Sequence, residues 1–199
     1  MAFDKIPRPS SGSGKVEIID GIEFPGLGSG GFGPNDFLFI GSDGDDFDLI
    51  GGTGHDELEG EAGNDKLLGG DGNDRVEGDD GEDDLDGQDG TDILEGGAGN
   101  DILRAGYGHD ELTGGTGDDT FGFYALGHFH VKDFSIGEDQ LFFDAEKIGV
   151  NDLSELVGYI TNIDQRSDGV TVEFGPNASI ELVGVNLADI SADMVVFHL

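Results

Sequence analysis

The sequence predicts an all-β protein, a flattened right-handed parallel solenoid finished by a β-rich C-terminal cap. Three observations predict it. First, a nine-residue unit repeats eight times without a gap from Gly51 to Gly122: GGTGHDELE, GEAGNDKLL, GGDGNDRVE, GDDGEDDLD, GQDGTDILE, GGAGNDILR, AGYGHDELT and GGTGDDTFG. Second, three columns of that unit keep their character throughout: position 4 is Gly, position 6 is Asp and position 8 is a large apolar residue. Third, beyond residue 122 the glycine rhythm stops, while aromatic and β-branched residues rise. A short exact period of this kind marks a quasi-one-dimensional stack.

Each column has a physical reading. Glycine at positions 1, 2 and 4 is expected to supply positive φ and a tight turn with carbonyls directed inward. Positions 7 to 9 leave room for a strand of about three residues, with position 8 pointing to one side. Two units then make one coil. The thin core is the ladder of Leu58, Leu67, Val76, Leu85, Leu94, Leu103, Leu112 and Phe121. Two imperfect copies come first. GFGPNDFLF from Gly31 keeps Asp36 and Leu38; GSDGDDFDLI from Gly41 keeps Gly44 and Asp46 but carries one extra residue and sets Asp48 in the apolar column.

Alternate units stack on the same edge at the ~4.8 Å strand spacing. One edge therefore carries Asp56, Asp74, Asp92 and Asp110, and the other Asp65, Asp83, Asp101 and Asp119, with Asp46 ahead of them. Bare carboxylates so close repel one another. A hard divalent cation between successive turns removes the conflict, and Ca²⁺ accepts roughly six to eight oxygens from carboxylates and backbone carbonyls. These nine aspartates are the candidate metal ligands. Four turns per edge enclose about three complete sites, so roughly six to eight ions in all when partial end sites are counted.

Composition narrows the possibilities. Nine basic residues stand against 44 acidic ones, a net charge of −35, which excludes nucleic acid and anionic membrane surfaces as favourable partners. Within residues 51–122, 22 acids and 21 glycines face only Lys66, Arg75 and Arg104. Such a segment is disordered on its own, so metal-binding free energy becomes folding free energy. There is no cysteine, which rules out disulfides and suits export of an unfolded chain. No apolar run approaches the ~18 residues of a membrane span, so no membrane insertion is expected.

The pattern G-G-x-G-x-D-x-U-x resembles the RTX (repeat-in-toxin, hemolysin-type) calcium-binding nonapeptide, over residues 31–122 and most specifically from residue 51. The resemblance implies a parallel β-roll, as in serralysin-type metalloproteases, bacterial lipases, the R-modules of mannuronan C5-epimerases and pore-forming cytolysins. It implies calcium as the cofactor, with the position-6 aspartates as main ligands helped by carbonyls such as those of Gly69 and Asp71. It also implies delivery by type I secretion machinery to the outside of a Gram-negative cell. Departures from the pattern are Ala105 at position 1, and Glu61, Asp79, Gln88 and Ser42 at position 2.

The flanks read as follows. Residues 1–15, MAFDKIPRPSSGSGK, form a flexible arm without the apolar core of a signal peptide. Residues 16–30 hold an N-terminal cap and linker: KVEIIDGIEF is expected to give a strand pair, and PGLGSGGFGP to lead into the roll of residues 31–122. Residues 123–199 form the cap. HFHVKDFSIGEDQLFF (128–143) is similar to the segment after the repeats in serralysin and epimerase modules, where a D-F-x-x-G-x-D run precedes an apolar strand. VNDLSELVGYI (150–160) predicts one helix with Asn151 or Asp152 as N-cap. GVTVEF and SIELVGV predict a hairpin around GPNA. The final ADMVVFHL, with Asp193 before an apolar run, resembles the C-terminal signal read by type I secretion systems; a last strand completing the sheet is the other reading, and both can hold.

His128 and His130 alternate on one strand face, the start of a zinc site for which the sequence shows no third ligand. His55 and His109 sit at turn position 5, where the backbone is expected to matter more than the side chain. Nucleophile elbow, H-E-x-x-H and P-loop patterns are absent, and no catalytic residue is expected. The expected function is a secreted, calcium-folded module with a structural, adhesive or polysaccharide-binding task. The alternative is a non-catalytic C-terminal module of a larger secreted enzyme, of the epimerase R-module kind. The initiating Met and cap-like first strand favour the former; the linker-like PRPSSGSG leaves room for the latter.

Overall fold

A computed structural model describes residues 17–20, 36–47 and 49–197. Strands β1 (Glu17–Asp20) and β2 (Phe37–Ile40) lead into the repeat. There follow β3 (Leu49–Gly54), β4 (Glu57–Glu59), β5 (Lys66–Gly72), β6 (Arg75–Asp80), β7 (Asp84–Gly90), β8 (Ile93–Ala98), β9 (Ile102–Arg104), β10 (Tyr107–Thr116) and β11 (Thr120–Phe123). Beyond it come β12 (Gly127–Val131), β13 (Gln140–Phe143), α1 (Ala145–Ile148), α2 (Leu153–Tyr159), β14 (Asn162–Gln165), β15 (Gly169–Glu173), β16 (Ser179–Val183) and β17 (Val195–Val196).

The molecule is a parallel β-roll. Even-numbered strands from β2 to β12 stack on one face and odd-numbered strands from β3 to β13 on the other, every pair parallel. The register places position 8 over position 8 two units on: Leu58, Val76, Leu94 and Leu112 in one ladder, Leu67, Leu85, Leu103 and Phe121 in the other. All eight side chains are fully buried between the two sheets. Burial of apolar surface on a strand this short requires neighbours above and below, which is why one unit alone has no stable form.

The two imperfect copies sit differently from expectation. Phe39, not Leu38, lies opposite Leu58. Leu49 lies opposite Leu67 and so takes the apolar column that the plain nonapeptide count assigned to Asp48, a residue outside the described ones. The extra residue of the second copy therefore falls between Asp46 and Leu49, where Phe47 is 72% exposed. Of the expected N-terminal strand pair, β1 runs antiparallel to β2 and covers the first coil. The remainder of that pair, the linker and the arm lie outside the described residues.

The glycine columns also divide by cause. Position 2 does require positive φ, and Glu61, Asp79 and Gln88 adopt it at φ 69–74° without being glycine, a region unfavourable to L-residues. Position 1 does not require it; no residue of that column has positive φ. There crowding disfavours a Cβ: on Gly69 it would lie 2.7 Å from Asp74 Oδ2 and 2.9 Å from the Gly87 carbonyl oxygen, and only Ala105 carries one among the eight units.

Both ladders run on past the last repeat. Val131 of β12 lies opposite Leu112 and then Leu182 of β16, while Leu141 of β13 lies opposite Phe121 and then Val195 of β17. Here the core widens and phenylalanines replace leucines: Phe123 packs against Phe129 and Phe143 with ring centroids 5.0 and 5.5 Å apart. The expected helix is α2, with Asp152 as its N-cap accepting from the Glu155 N–H at 2.9 Å. The expected hairpin is β15–β16, extended by β14 into an antiparallel meander over the end of the roll. The end of the described chain supplies β17, the strand completing the sheet. The sequence did not announce α1, which is too short for any periodicity and is held by its Asp144 and Gly149 caps. Among the described residues no helix is long and apolar enough to cross a membrane.

Candidate metal centre

The position-6 aspartates of both edges are interior residues. Asp56, Asp65, Asp74, Asp83, Asp92, Asp101, Asp110 and Asp119 are each at most 2% exposed. A single rule orders them: Oδ1 of each accepts the backbone N–H of its counterpart one coil earlier. On one edge Asp74, Asp92 and Asp110 accept from Asp56, Asp74 and Asp92 at 2.9, 2.9 and 3.0 Å. On the other, Asp65, Asp83, Asp101 and Asp119 accept from Asp46, Asp65, Asp83 and Asp101 at 2.7, 2.8, 2.9 and 3.0 Å. Asp56 accepts from the Phe37 N–H at 2.7 Å.

The second oxygen is different. Oδ2 of Asp56, Asp65, Asp74, Asp83, Asp92, Asp101 and Asp110 is buried and has no hydrogen-bond partner. A buried charge in that state is strongly disfavoured, and the acidities respond. Burial pushes Asp92 up to about 8, its neighbours Asp110 and Asp74 adding to the effect while the Asp74 N–H opposes it. Burial likewise raises Asp101 and Asp110 to about 7, and Asp65, Asp74 and Asp119 to about 6. Asp56 and Asp83 are raised for the same reason.

The surroundings of the unpaired oxygens name the kind of partner they suit. Beside Asp74 Oδ2 lies the carbonyl oxygen of Gly87 on the next coil, the two flanking the empty side of Gly69. The carbonyl of Gly69 stands in the same relation to Asp56 Oδ2. Among the described residues no three His, Cys, Asp or Glu side chains converge on a point, so the donors beyond the carboxylates are backbone carbonyls. An all-oxygen set of carboxylates and carbonyls suits a hard cation of the calcium type. Asp46 is placed in the same column but its Oδ2 accepts from the Ser42 N–H and hydroxyl at 2.6 and 3.0 Å. Asp36, which the nonapeptide count puts at position 6, instead accepts from the His55 N–H at 2.9 Å and serves as a position-5 residue.

Two further elements were missed in the sequence. Asp139 continues the second column: its Oδ1 accepts from the Asp119 N–H at 2.9 Å and its Oδ2 from the Ser135 N–H at 2.7 Å. The signal was there, since Asp139-Gln140-Leu141 repeats the Asp-x-apolar spacing of every unit, but it follows Asp119 by 20 residues instead of 18. Next to it, Asp133 accepts from the Gly114 and Gly115 N–H groups, both at 2.9 Å. The second missed element is position 5, where side chains matter after all. His55 Nδ1 accepts from the Asn73 N–H, and Asn64, Asn73 and Asn100 Oδ1 from the N–H groups of Glu82, Thr91 and Asp118, at 2.9–3.0 Å. These turn N–H groups would otherwise lack a protein acceptor between coils.

Residues 50–85 and 86–121 match the family model of the RTX calcium-binding nonapeptide repeat, four copies each. No curated protein matches the chain. Among solved structures, the chain is similar to the AlgE6R3 subunit of the Azotobacter vinelandii mannuronan C5-epimerase, at 27% identity and TM-score 0.40 over 78% of this chain and 80% of that one. The AlgE6R2 subunit of the same enzyme gives 25% identity and TM-score 0.39 over 75% and 91%. The extracellular lipase LipA from Serratia marcescens gives 22% identity and TM-score 0.36 over 79% of this chain and 39% of the lipase. Residues 50–121 are RTX calcium-binding repeats.

Proposed function

We propose that the RTX repeats make this chain a secreted module that folds around calcium, with Asp56, Asp65, Asp74, Asp83, Asp92, Asp101, Asp110 and Asp119 as side-chain ligands and Asp46 at the open end. The observation carrying the reading is the row of buried carboxylate oxygens without protein partners. Calcium, when bound, supplies the charge and coordination those oxygens lack. Each aspartate from Asp56 to Asp110 then serves twice: Oδ1 fixes the coil before it through a backbone N–H, and the unpaired Oδ2 faces the cation. On this reading the array takes roughly six to eight ions.

The rest follows from thermodynamics. Ligand placement exists only in the stacked coils, so calcium binding and folding are one equilibrium. In a low-calcium cytosol the chain stays open and exportable; outside the cell, sites with Kd on the order of 10⁻⁴–10⁻³ M suffice. The absence of cysteine and the acidic, then apolar, C-terminal sequence around Asp193 support export by a type I system from a Gram-negative cell. The module's own task is structural or adhesive, with extracellular polysaccharide or matrix as partner, which glycan arrays probed in calcium will test. The primary experiment is a calcium titration of the chelator-stripped chain followed by far-UV circular dichroism, with magnesium as control. A cooperative coil-to-β transition at millimolar calcium and none with magnesium is expected. A chain fully folded in chelator would end the proposal.

A further inference from the structure

We propose a second metal site, for a borderline transition ion of the zinc class, on the outer face where the last repeat coil meets the cap, formed by His109, His128 and His130. It is independent of the calcium reading. The parallel register of β10 and β12 sets His109 beside His128 and Glu111 beside His130. Three of the chain's five imidazoles thus fall within one small block of a single sheet face. The rings of His109 and His128 are stacked with centroids 4.7 Å apart. On its other side His128 meets Ser179 of β16, and its Nδ1 lies 2.9 Å from Ser179 Oγ.

That last contact is what turns a cluster into a site. A ligating imidazole usually has its other ring nitrogen held by a hydrogen bond, which fixes ring orientation and tautomer. With Nδ1–H donating to Ser179 Oγ, Nε2 of His128 is left with its lone pair for a metal. The three side chains do not already surround a point, but none is buried: His109 is exposed, His128 and His130 partly so. With His128 held by Ser179, and with ~4.8 Å between strands and about twice the ~3.3 Å rise between His128 and His130, rotation of His109 and His130 about χ1 and χ2 brings their imidazoles to it. Donor chemistry then separates the two metals. Imidazole suits zinc, nickel and copper, while carboxylates and carbonyls suit calcium. A metal here would tie β10, the last repeat strand on its face, to the first cap strand, β12.

The test is a zinc titration of the untagged, calcium-saturated full chain by calorimetry, with a parallel cobalt titration read by visible absorption. We expect one zinc per chain, not displaced by excess calcium. His128→Gln and His130→Gln should each weaken it roughly tenfold or more, and Ser179→Ala, acting through ring orientation, about tenfold. His55→Gln, at a distant turn, should leave it unchanged. Circular dichroism in calcium checks that each variant folds. If one does not, the wild-type cobalt spectrum decides: intense bands of a nitrogen-ligated, low-coordinate ion support the site, and the weak spectrum of an oxygen-ligated octahedral ion overturns it. Absence of zinc uptake, or uptake indifferent to His128→Gln and His130→Gln, also overturns it.

Discussion

Asp101 and Asp139 occupy the same column of the same edge, one in the repeats and one in the cap, and they are completed by different means. Both are buried, and both accept a backbone N–H from the coil before. The second oxygen of Asp139 takes the Ser135 N–H, whereas that of Asp101 finds nothing in the protein. The sheets tell the same story. In the repeats a coil buries a single apolar side chain per unit, while in the cap the ladders open onto a phenylalanine cluster and two helices. The cap therefore satisfies itself and the repeats do not. On the proposed reading the roll depends on metal where its sequence is most regular, and it is capped at the end where the regularity stops.

The most damaging way to break this comparison is to remove residues 123–199. The repeats should then lose most of their calcium-driven folding, because a solenoid end without a cap exposes its core ladder. Equal cooperativity and midpoint for the truncated and full chains, measured by circular dichroism, would show that the cap anchors nothing. Next in size is Asp92→Ala, on the order of 3 kcal/mol, since an inner aspartate serves the coils on both sides. Asp119→Ala, beside the cap, should shift the calcium midpoint less. The third contrast separates the two regions by stoichiometry. Asp139→Ala leaves the N–H groups of Asp119 and Ser135 without their acceptor, at about 1–3 kcal/mol each, yet should leave the number of bound calcium ions unchanged. Asp101→Ala should lower that number.

The pH dependence has a definite sign. Burial raises Asp92 to about 8 and Asp101 and Asp110 to about 7, from an ordinary value of 3.8. A carboxyl raised by folding binds its proton more tightly in the folded state, so its relative contribution to stability is intact below the unfolded value and is lost as pH rises through the folded one. The calcium-depleted chain should accordingly gain β structure on going from pH 8 toward pH 4. Calcium should need a higher concentration over the same descent, because protons compete for the same oxygens. Circular dichroism at fixed pH, with and without calcium, checks both. The smallest effect concerns Asp79, an L-residue at φ 69° in a column that otherwise favours glycine. Asp79→Gly should stabilise the calcium-loaded roll by about 1 kcal/mol.

The regular part of the fold was legible because period and chemistry agree. Invariant Asp and apolar columns at a spacing of nine specify two edges, two ladders and the buried face of every repeat strand. Legibility ended wherever the spacing slipped. Phe39 and Leu49 were misplaced by one residue because an insertion shifts each imperfect copy while its hydrogen bonds to Asp56 and Asp65 still form. Asp139 escaped notice because two extra residues separate it from the period. The position-5 ladder was hidden because His, Asn and Asp all serve as acceptors there, so the column shows no single residue type.

By itself, then, the sequence determined the repeat unit, the stacking of alternate units and the alignment of the aspartates, all of which are local spacing repeated. Only the tertiary structure decided which oxygen of each aspartate is left over, where the ladders end, and that three histidines from two strands share one face. Those depend on what a neighbouring coil presents across a gap, and hydrogen-bond pairing between coils is a property of the stack, not of any stretch of chain.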